Sequence, residues 1–301
     1  MDKSKLLIAR GEEIHNAVVY KDRSEQIPED FLKQIDEFHS LDEIFDKEIE
    51  ELLLLEELNN LRNPKQLNFE PNIVTFSPSS ASSCERELYY KAINAEKDEL
   101  PLLPFQRRWV RNGSAVHKAV QKELLLAEKY LPNPAFTVER MENGTIAWEH
   151  NLKNVKQFEY DGVRFQIFGM ADGILRYKDG SKIVFEFKTK STTISAVGNY
   201  KMRDVQENHK QQAVAYSLLF GIDEFLFVYE SLAKDNWTKG EDARPDVRAF
   251  YFKVTDEMKE NLLAKFARVV KYVERGEIPA PETDKCIFCP YKSLCEKDGR
   301  Q

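Results

Sequence analysis

The chain has 301 residues, of which 42% are apolar and 32% are charged, and its formal net charge is −7. A chain of this length with this share of apolar residues can form the hydrophobic core of one large domain with an extension, or the cores of two domains. The absence of any run of about 18 apolar residues excludes a hydrophobic membrane-spanning helix, and the first residues lack the apolar stretch of a secretory signal, so we expect a cytoplasmic protein.

The acidic residues are concentrated at the beginning of the chain. Residues 1–70 contain 18 acidic and 9 basic side chains, whereas the remainder contains 33 and 35. Between residues 31 and 61 apolar positions recur at helical spacing, which predicts amphipathic helices. We therefore expect an acidic helical extension over 1–70, which is solvated, mimics DNA or docks on a basic partner, and a second domain over 71–301.

Two helices are expected after this extension. The stretch "SPSSASSCERELYYKAI" predicts a polar turn that leads into a helix, with Cys84 at or just before the first helical turn. A second helix is predicted over about 114–130, with His117 near its start. Segment 104–130 has six Lys and Arg against two Glu. This surplus either contacts phosphates or forms an ordinary solvated helix face.

A block of strands follows the second helix. Alternating side chains and turn residues predict strands at "TVERM", "TIAWEHN", "NVKQFEY", "VRFQIFGMADGILRY" and "KIVFEFKTK". The next segments predict a helix at "RDVQENHKQQAVAYSLLFG", strands at "EFLFVYESL" and "VRAFYFKV", a helix near 255–276 and a cysteine-rich tail. Together they predict an α/β fold with a mixed central sheet flanked by helices. No repeat and no phosphate-binding loop pattern is present, so we expect no ATP motor.

The strand "KIVFEFKTK" carries charges within an apolar run. Because side chains alternate along a strand, Glu186 and Lys188 share one face and the phenylalanines share the other. Asp172 and Glu186 are each seven residues from Asp179 in a predicted turn, so the two carboxylates should face each other, about 5 Å apart at Cβ. Such carboxylates repel unless a cation lies between them, and oxygen-rich sites suit Mg²⁺ or Mn²⁺. The alternative is a turn aspartate beside a solvated stripe of charges.

Several motifs together resemble one nuclease family. The stretch "GMADGI" followed by "VFEFKTK" resembles the core of the PD-(D/E)xK nucleases, in which an Asp at a strand end and a Glu-x-Lys on the next strand bind metal and activate water. The stretches "NGSAVHKAVQ" and "HKQQAVAYSLL" resemble the His motif and the Gln-x-x-x-Tyr helix of the RecB-type exonuclease branch. Ala171 stands where the family pattern nominally has a proline.

This resemblance implies a restriction-endonuclease-like core and a role for each matching residue. Lys188 would orient the attacking water and stabilise negative charge. Gln212 and Tyr216, one helical turn apart, would position the scissile strand or the lysine, and His209 falls on the same helix face. The implied ligands of a catalytic Mg²⁺ or Mn²⁺ are His117, Asp172, Glu186 and the backbone carbonyl of Phe187.

The cysteines carry a second resemblance. Cys84 together with "CIFCPYKSLC" resembles the four-cysteine iron–sulfur staple of AddB-type and CRISPR-associated RecB-type exonucleases, which implies a 4Fe–4S cluster on Cys84, Cys286, Cys289 and Cys295. Four thiolates also bind Zn²⁺, although zinc ribbons usually pair two close knuckles and Cys84 lies 202 positions before Cys286. The cluster would be structural and would tie the two ends of the nuclease domain together.

The resemblance extends from Cys84 to Cys295 and implies a metal-dependent DNA exonuclease. It would act on single strands or DNA ends in recombination, repair, phage DNA metabolism or CRISPR adaptation, with a helicase, a single-strand-binding protein or a CRISPR-adaptation protein as partner. Two alternatives stay open at this point. One is a non-catalytic DNA-binding or adaptor module of a larger complex, and the other is a zinc-stapled structural protein.

Overall fold

The computed structural model describes residues 22–99, 101–190, 192–282, 286 and 289–299. Its mixed α/β architecture, with two mixed sheets flanked by helices, confirms the predicted fold class. The first 21 residues, on which the expected lack of a secretory signal rests, and Ile287 and Phe288 in the cysteine tail lie outside these ranges. Within them, no helix has the length and apolarity needed to cross a lipid bilayer.

Helices and strands are numbered here in chain order. The helices are α1 (Arg23–His39), α2 (Lys47–Arg62), α3 (Glu85–Ala92), α4 (Pro104–Tyr130), α5 (Glu149–Leu152), α6 (Glu207–Phe220), α7 (Asp256–Arg275) and α8 (Lys292–Asp298). The strands are β1 (Val74–Phe76), β2 (Phe136–Val138), β3 (Asn154–Tyr160), β4 (Val163–Gly169), β5 (Gly173–Tyr177), β6 (Lys182–Lys190), β7 (Glu224–Ser231) and β8 (Val247–Lys253). Short 3₁₀ turns occur at Pro78–Ser80, Ile194–Val197 and Trp237–Asp242.

Strand β6, which carries the Glu-x-Lys motif, is the middle strand of the larger sheet. The order of that sheet is β2-β5-β6-β7-β8, with β6 antiparallel to β5 and parallel to β7. Parallel neighbours need a crossover connection, and α6 lies in it. The smaller sheet has the order β1-β4-β3. Because β6 has a neighbour on each edge and packed side chains on both faces, residues 183–187 are all buried.

Each face of the larger sheet contributes to its own hydrophobic core. One core contains side chains of α1, α4 and the face with Phe185, and the other contains side chains of α3, α6, α7, β4 and the face with Val184. Phe31 of α1 packs with ring centroids 5.6 Å from both Phe136 and Phe185. Helix α1 is therefore part of the layer behind β6, and the domain boundary placed at residue 70 stays a prediction.

Arg23, the first residue of α1, anchors this helix to the sheet. Its Nε donates to Glu224 Oε1 at 2.6 Å and its Nη2 donates to Glu224 Oε2 at 2.8 Å. It also pairs with Asp179 in the β5–β6 turn. The hydrogen bond from Arg23 lowers the pKa of Glu224 below its usual range. The start of α1 is thus held to β7 by a bidentate ion pair.

Helix α2 contacts α4 largely through charge. Ile49 is its buried side chain, and its carboxylates face lysines of α4. The pairs are Lys118 with Glu57, Lys122 with Glu50, and Lys129 with Glu48. Part of the basic surplus of α4 is therefore neutralised by the acidic extension.

Candidate active site

Two carboxylates meet where β5 begins beside β6. The register pairs Gly173 with Phe185 and Ile174 with Val184, which places Asp172 opposite Glu186, as expected from a turn at Asp179. Asp172 Oδ2 accepts the backbone N–H of Phe187 at 2.9 Å. The carboxylate of Asp172 is therefore fixed against the backbone of the Glu-x-Lys strand.

Glu186 is fully buried, at 0% exposure, so the alternative of a solvated charged stripe is wrong. Its Oε2 accepts a hydrogen bond from Lys188, and its Oε1 has no hydrogen-bond partner among the described residues. Burial, together with the charge of Asp172, raises the pKa of Glu186 to about 7 against the opposing effect of Lys188. A buried polar atom left unpaired typically costs about 1–3 kcal/mol. This oxygen is therefore a candidate ligand atom.

Lys188 reaches both carboxylates. Its Nζ lies 2.7 Å from Glu186 Oε2 and 3.9 Å from Asp172 Oδ2. Burial lowers its pKa, but the two carboxylates outweigh this effect, and the net pKa of Lys188 is above its usual range. The side chain is therefore an ammonium at neutral pH, a hydrogen-bond donor and positive charge rather than a base.

His117, on α4, lies beside the carboxylate of Asp172. Its Nε2 is 3.9 Å from Asp172 Oδ1 and is buried without a hydrogen-bond partner in the part of the chain that the structure describes. Its ring packs against Phe187 with centroids 5.9 Å apart. Burial is the largest influence on His117 and lowers its pKa. The imidazole is therefore neutral at pH 7, the form that binds metal ions.

Glu149 is a site residue that the sequence reasoning missed. Its Oε1 lies 3.9 Å from Nδ1 of His117, and its backbone N–H donates to Ala171 O at 3.1 Å. The segment around it was predicted as a strand, but Glu149 instead begins the short helix α5 with a φ of +37°. A left-handed backbone is uncommon for a residue with a side chain. The alternating pattern of "TIAWEHN" contains no signal for this turn.

Gln212 and Tyr216 lie together on α6, as their spacing predicts. Tyr216 OH donates to the carbonyl of Met170 at 2.7 Å and accepts from Gln212 Nε2 at 3.1 Å. Burial raises the pKa of Tyr216 above its usual range, so the phenol stays protonated. The pair therefore holds the backbone two residues before Asp172, while direct contact with Lys188 is absent among the hydrogen bonds of the described residues.

An open cleft of about 360 Å³ leads to these groups. Its lining comes from α4, from the end of β6 and from α6, at Gly113, Ser114, His117, Phe187, Lys188, Thr189, Lys190 and His209. His209 Nδ1 lies 2.7 Å from Tyr229 OH. Burial and the charges of Lys188 and Lys190 lower the pKa of His209 to about 4. The cleft is thus lined by lysine cations and neutral imidazoles, which suits a phosphate group.

The profile of the PD-(D/E)XK nuclease superfamily matches residues 82–296, which is more than half of the chain. The chain belongs to the PD-(D/E)XK nuclease superfamily. The matched segment contains the Asp, the Glu-x-Lys, the His motif, the Gln-x-x-x-Tyr helix and all four cysteines. Comparison with curated protein sequences found no match.

The solved structures that align with this chain have low TM-scores and low sequence identity to it. SSO0001 aligns with a TM-score of 0.41 and 18% identity over 82% of this chain and 95% of its own. An alkaline exonuclease (LHK-Exo) from Laribacter hongkongensis aligns with a TM-score of 0.38 and 12% identity over 67% of this chain and 92% of its own. The structure of LHK-Exo in complex with dAMP aligns with a TM-score of 0.37 and 14% identity over 68% of this chain and 92% of its own. These values carry no inference about activity.

In this PD-(D/E)XK chain the four cysteines line one common cavity of about 330 Å³, together with Arg86 and Tyr90. Cys84 is the N-cap of α3, and its Sγ accepts the N–H of Glu87 at 3.3 Å. All four are free thiols, and burial raises the pKa of Cys289. The remote cysteine and the C-terminal three thus meet in space, as expected.

Neither the carboxylate site nor the cysteine cavity is already arranged as a metal site. Across the described ranges, no three His, Cys, Asp or Glu side chains surround a common ion position. At the carboxylates, the ammonium of Lys188 lies 2.7 Å from Glu186 and 3.9 Å from Asp172. The ligand roles of these residues therefore stay predictions.

Proposed function

We propose that the protein is a metal-dependent exonuclease that hydrolyses phosphodiester bonds of DNA, on single strands or at DNA ends. The observation that carries the proposal is the buried and unpaired Oε1 of Glu186, opposite Asp172 and beside the Lys188 ammonium. A carboxylate fully buried on the central strand, with a second carboxylate opposite it, is costly unless a cation binds the two. A binding-only adaptor has no need of such a pair, which favours the enzyme over the adaptor alternative.

The residues at this site fit Mg²⁺ or Mn²⁺. Oxygen ligands would come from Asp172, Glu186 and the backbone carbonyl of Phe187, and a neutral nitrogen from Nε2 of His117. Two of these atoms, Glu186 Oε1 and His117 Nε2, are buried without hydrogen-bond partners among the described residues. The chemistry supplied by a bound cation is polarisation of the scissile phosphate and a lower pKa for the attacking water.

The residues of the chain perform the rest of the reaction. Hydrolysis adds the hydroxyl of water to phosphorus and a proton to the leaving oxygen of the broken P–O bond. Lys188 stays protonated, so it orients the attacking water by donating a hydrogen bond and offsets negative charge that grows on the phosphoryl oxygens. Tyr216 fixes the backbone that carries Asp172. The carboxylate of Glu149 faces Nδ1 of His117, which favours a proton there and leaves Nε2 as the acceptor.

The same proposal assigns a structural 4Fe–4S cluster to the cysteine cavity. Four thiolates are the usual ligands of such a cluster, and these four line one space. The segments that they join are already linked, because Arg86 Nε donates to Pro279 O and Tyr90 OH donates to Asp298 Oδ2 at 2.7 Å. The cluster would add covalent links between α3 and the C-terminal segment. Removing it should lower stability and DNA binding.

The test of the activity is digestion of end-labelled single-stranded and duplex DNA with Mg²⁺ or Mn²⁺. Lys188→Ala should abolish digestion, and Lys182→Ala is the matched control because Lys182 lies on the same strand, exposed and away from the cleft. Equal digestion by Lys188→Ala and wild type would disprove the site assignment. Wild-type protein that degrades no DNA would instead favour the adaptor alternative.

The cluster is tested separately by colour. Anaerobically purified protein should be brown, with iron and acid-labile sulfide, and Cys84→Ser should lose both. Colourless protein with stoichiometric zinc would support the zinc-stapled alternative. The pathway, the cytoplasmic location and a helicase, single-strand-binding or CRISPR-adaptation partner stay predictions that rest on the resemblance.

A further inference from the structure

The first half of α4 extends away from the core. Its first buried side chain is Val120, sixteen positions after the helix begins at Pro104. In residues 104–113, which we call the arm, Phe105 and Trp109 are 44% and 47% exposed, with ring centroids 5.5 Å apart. Large aromatic side chains held together in solvent usually mark a binding surface.

The aromatic residues of the arm lie on a ridge of the helix that leads to the active site. Phe105, Trp109, Gly113 and His117 recur every four residues, so they form a row along one ridge, which winds about 120° round the helix from Phe105 to His117. At 1.5 Å per residue, Trp109 lies about 12 Å from His117 along the helix axis. Gly113 and His117 both line the catalytic cleft. A molecule lying along this row therefore enters the cleft.

Gly113 permits the close approach of α4 to the end of β6. A Cβ at this position would lie 3.1 Å from Oγ1 of Thr189, which is tighter than an ordinary van der Waals contact. The helix can therefore pass against the Thr189 side chain, on the strand that carries Lys188, without a side chain of its own in between. The arm and the catalytic strand form one continuous surface.

The unneutralised positive charge of α4 is also in the arm. Residues 100–122 contain no Asp or Glu, and Arg107, Arg108 and Arg111 are exposed. None of these arginines forms an ion pair with an acidic side chain of the described residues. The lysines further along α4 differ, because α2 supplies carboxylates to Lys118 and Lys122. The arm thus has the charge expected of a phosphate-binding element.

We propose that the arm binds single-stranded DNA, with bases stacked on Phe105 and Trp109 and phosphates contacting the arginines, and that it leads the strand into the cleft. This inference rests on the proposed nuclease function. It narrows the substrate to unpaired strands and names the residues that select them. Unpaired bases can stack on exposed aromatic rings, whereas the bases of a duplex are already stacked on each other. Arg108, three residues after Phe105, lies on the same side of the helix and can reach the backbone of the stacked strand.

The test is equilibrium binding of a fluorescein-labelled oligothymidylate, measured by anisotropy in EDTA so that no cleavage occurs. Loss of one stacked base costs about 1–3 kcal/mol, so Trp109→Ala should weaken binding by about 5- to 150-fold. Trp109→Phe should restore most of the affinity. Trp237→Ala is the matched control because this tryptophan is 98% exposed and lies outside the arm, and its affinity should equal that of wild type.

Salt dependence tests the arginines. For single strands each lost phosphate contact reduces the slope of log affinity against log salt by about 0.7, and Arg108→Ala should show this reduction. Binding of a duplex of the same length should respond much less to Trp109→Ala. The alanine variants of the arm lie on an exposed part of α4, and circular dichroism should show wild-type helicity because alanine favours helices.

Two results would overturn the inference. Wild-type affinity for oligothymidylate in both Phe105→Ala and Trp109→Ala would show that the arm does not hold the strand. Equal losses for duplex and single strand would show that the arm does not select unpaired bases. If the wild-type protein digests DNA and these variants bind and digest it equally well, the proposed role of the arm is refuted, but the proposed nuclease function is not. If the arm variants lose binding and the wild-type protein digests no DNA, the proposed nuclease function is refuted, whereas the binding of single strands by the arm is supported.

Discussion

Phe31→Ala tests whether α1 belongs to the catalytic core. Phe31 is 1% exposed and packs against Phe136 of β2 and Phe185 of β6. Truncation of a buried phenylalanine to alanine costs about 3–5 kcal/mol, a large part of the roughly 5–15 kcal/mol that stabilises a typical domain. At about 2–4 °C per kcal/mol for a chain of this size class, the melting temperature should fall by about 6–20 °C.

The assays are thermal unfolding and urea unfolding, both followed by far-UV circular dichroism, with nuclease activity measured in parallel. Because Phe185 directly precedes Glu186, activity should disappear in the same transition as the sheet. Phe45→Ala is the control, since this phenylalanine is exposed between α1 and α2 and should change stability by less than about 0.5 kcal/mol. A loss below about 1 kcal/mol for Phe31→Ala would refute the packing argument. Activity that survives after α1 has unfolded would refute it too.

Three further predictions concern charge and positioning. Arg23 lowers the pKa of Glu224, so the stability that this ion pair contributes is present above the unfolded-state pKa of about 4.5 and is lost as pH falls below it. Glu224→Gln should therefore cost about 1–2 kcal/mol of unfolding free energy at pH 7 and progressively less on acidification, measured by urea unfolding. A difference in stability that stays constant with pH would contradict this. Tyr216→Phe should reduce kcat about tenfold while changing stability by at most about 1.5 kcal/mol, and an unchanged kcat would remove its positioning role. Glu149→Gln should weaken Mn²⁺ binding about 10- to 100-fold in calorimetry. Unchanged Mn²⁺ affinity would show that Glu149 does not orient His117 for metal binding.

The carboxylate pair was predictable because it depends on local spacing. A hairpin turn at Asp179 determines which residues of β5 and β6 are opposite each other, so the sequence alone brings Asp172 to Glu186. Complete burial of Glu186 was not predictable, since it depends on layers from distant parts of the chain on both faces of β6. The amphipathic helices predicted between residues 31 and 61 are α1 and α2, but their spacing could not show that Phe31 packs behind the catalytic strand.

Helix α4 shows why an element boundary was wrong. A start near residue 114 was predicted after Gly113, whereas the helix begins ten residues earlier at Pro104. Proline suits the first helical position, and Gly113 is retained in the helix interior because α4 passes close to Thr189. A tertiary contact thus outweighs the low helix propensity of glycine. Glu149 was missed for a similar reason, because its left-handed backbone is invisible in an alternating pattern.

Glu186→Gln tests the central claim most directly, because the change is nearly isosteric and removes only the charge of the buried carboxylate. The measurement is the rate at which this variant hydrolyses an end-labelled single strand with Mn²⁺, beside its Mn²⁺ affinity. A folded protein with weakened Mn²⁺ binding and a rate at least about 100-fold below wild type is the predicted result. A variant that binds Mn²⁺ and cleaves the strand as fast as wild type would contradict the assignment of this site.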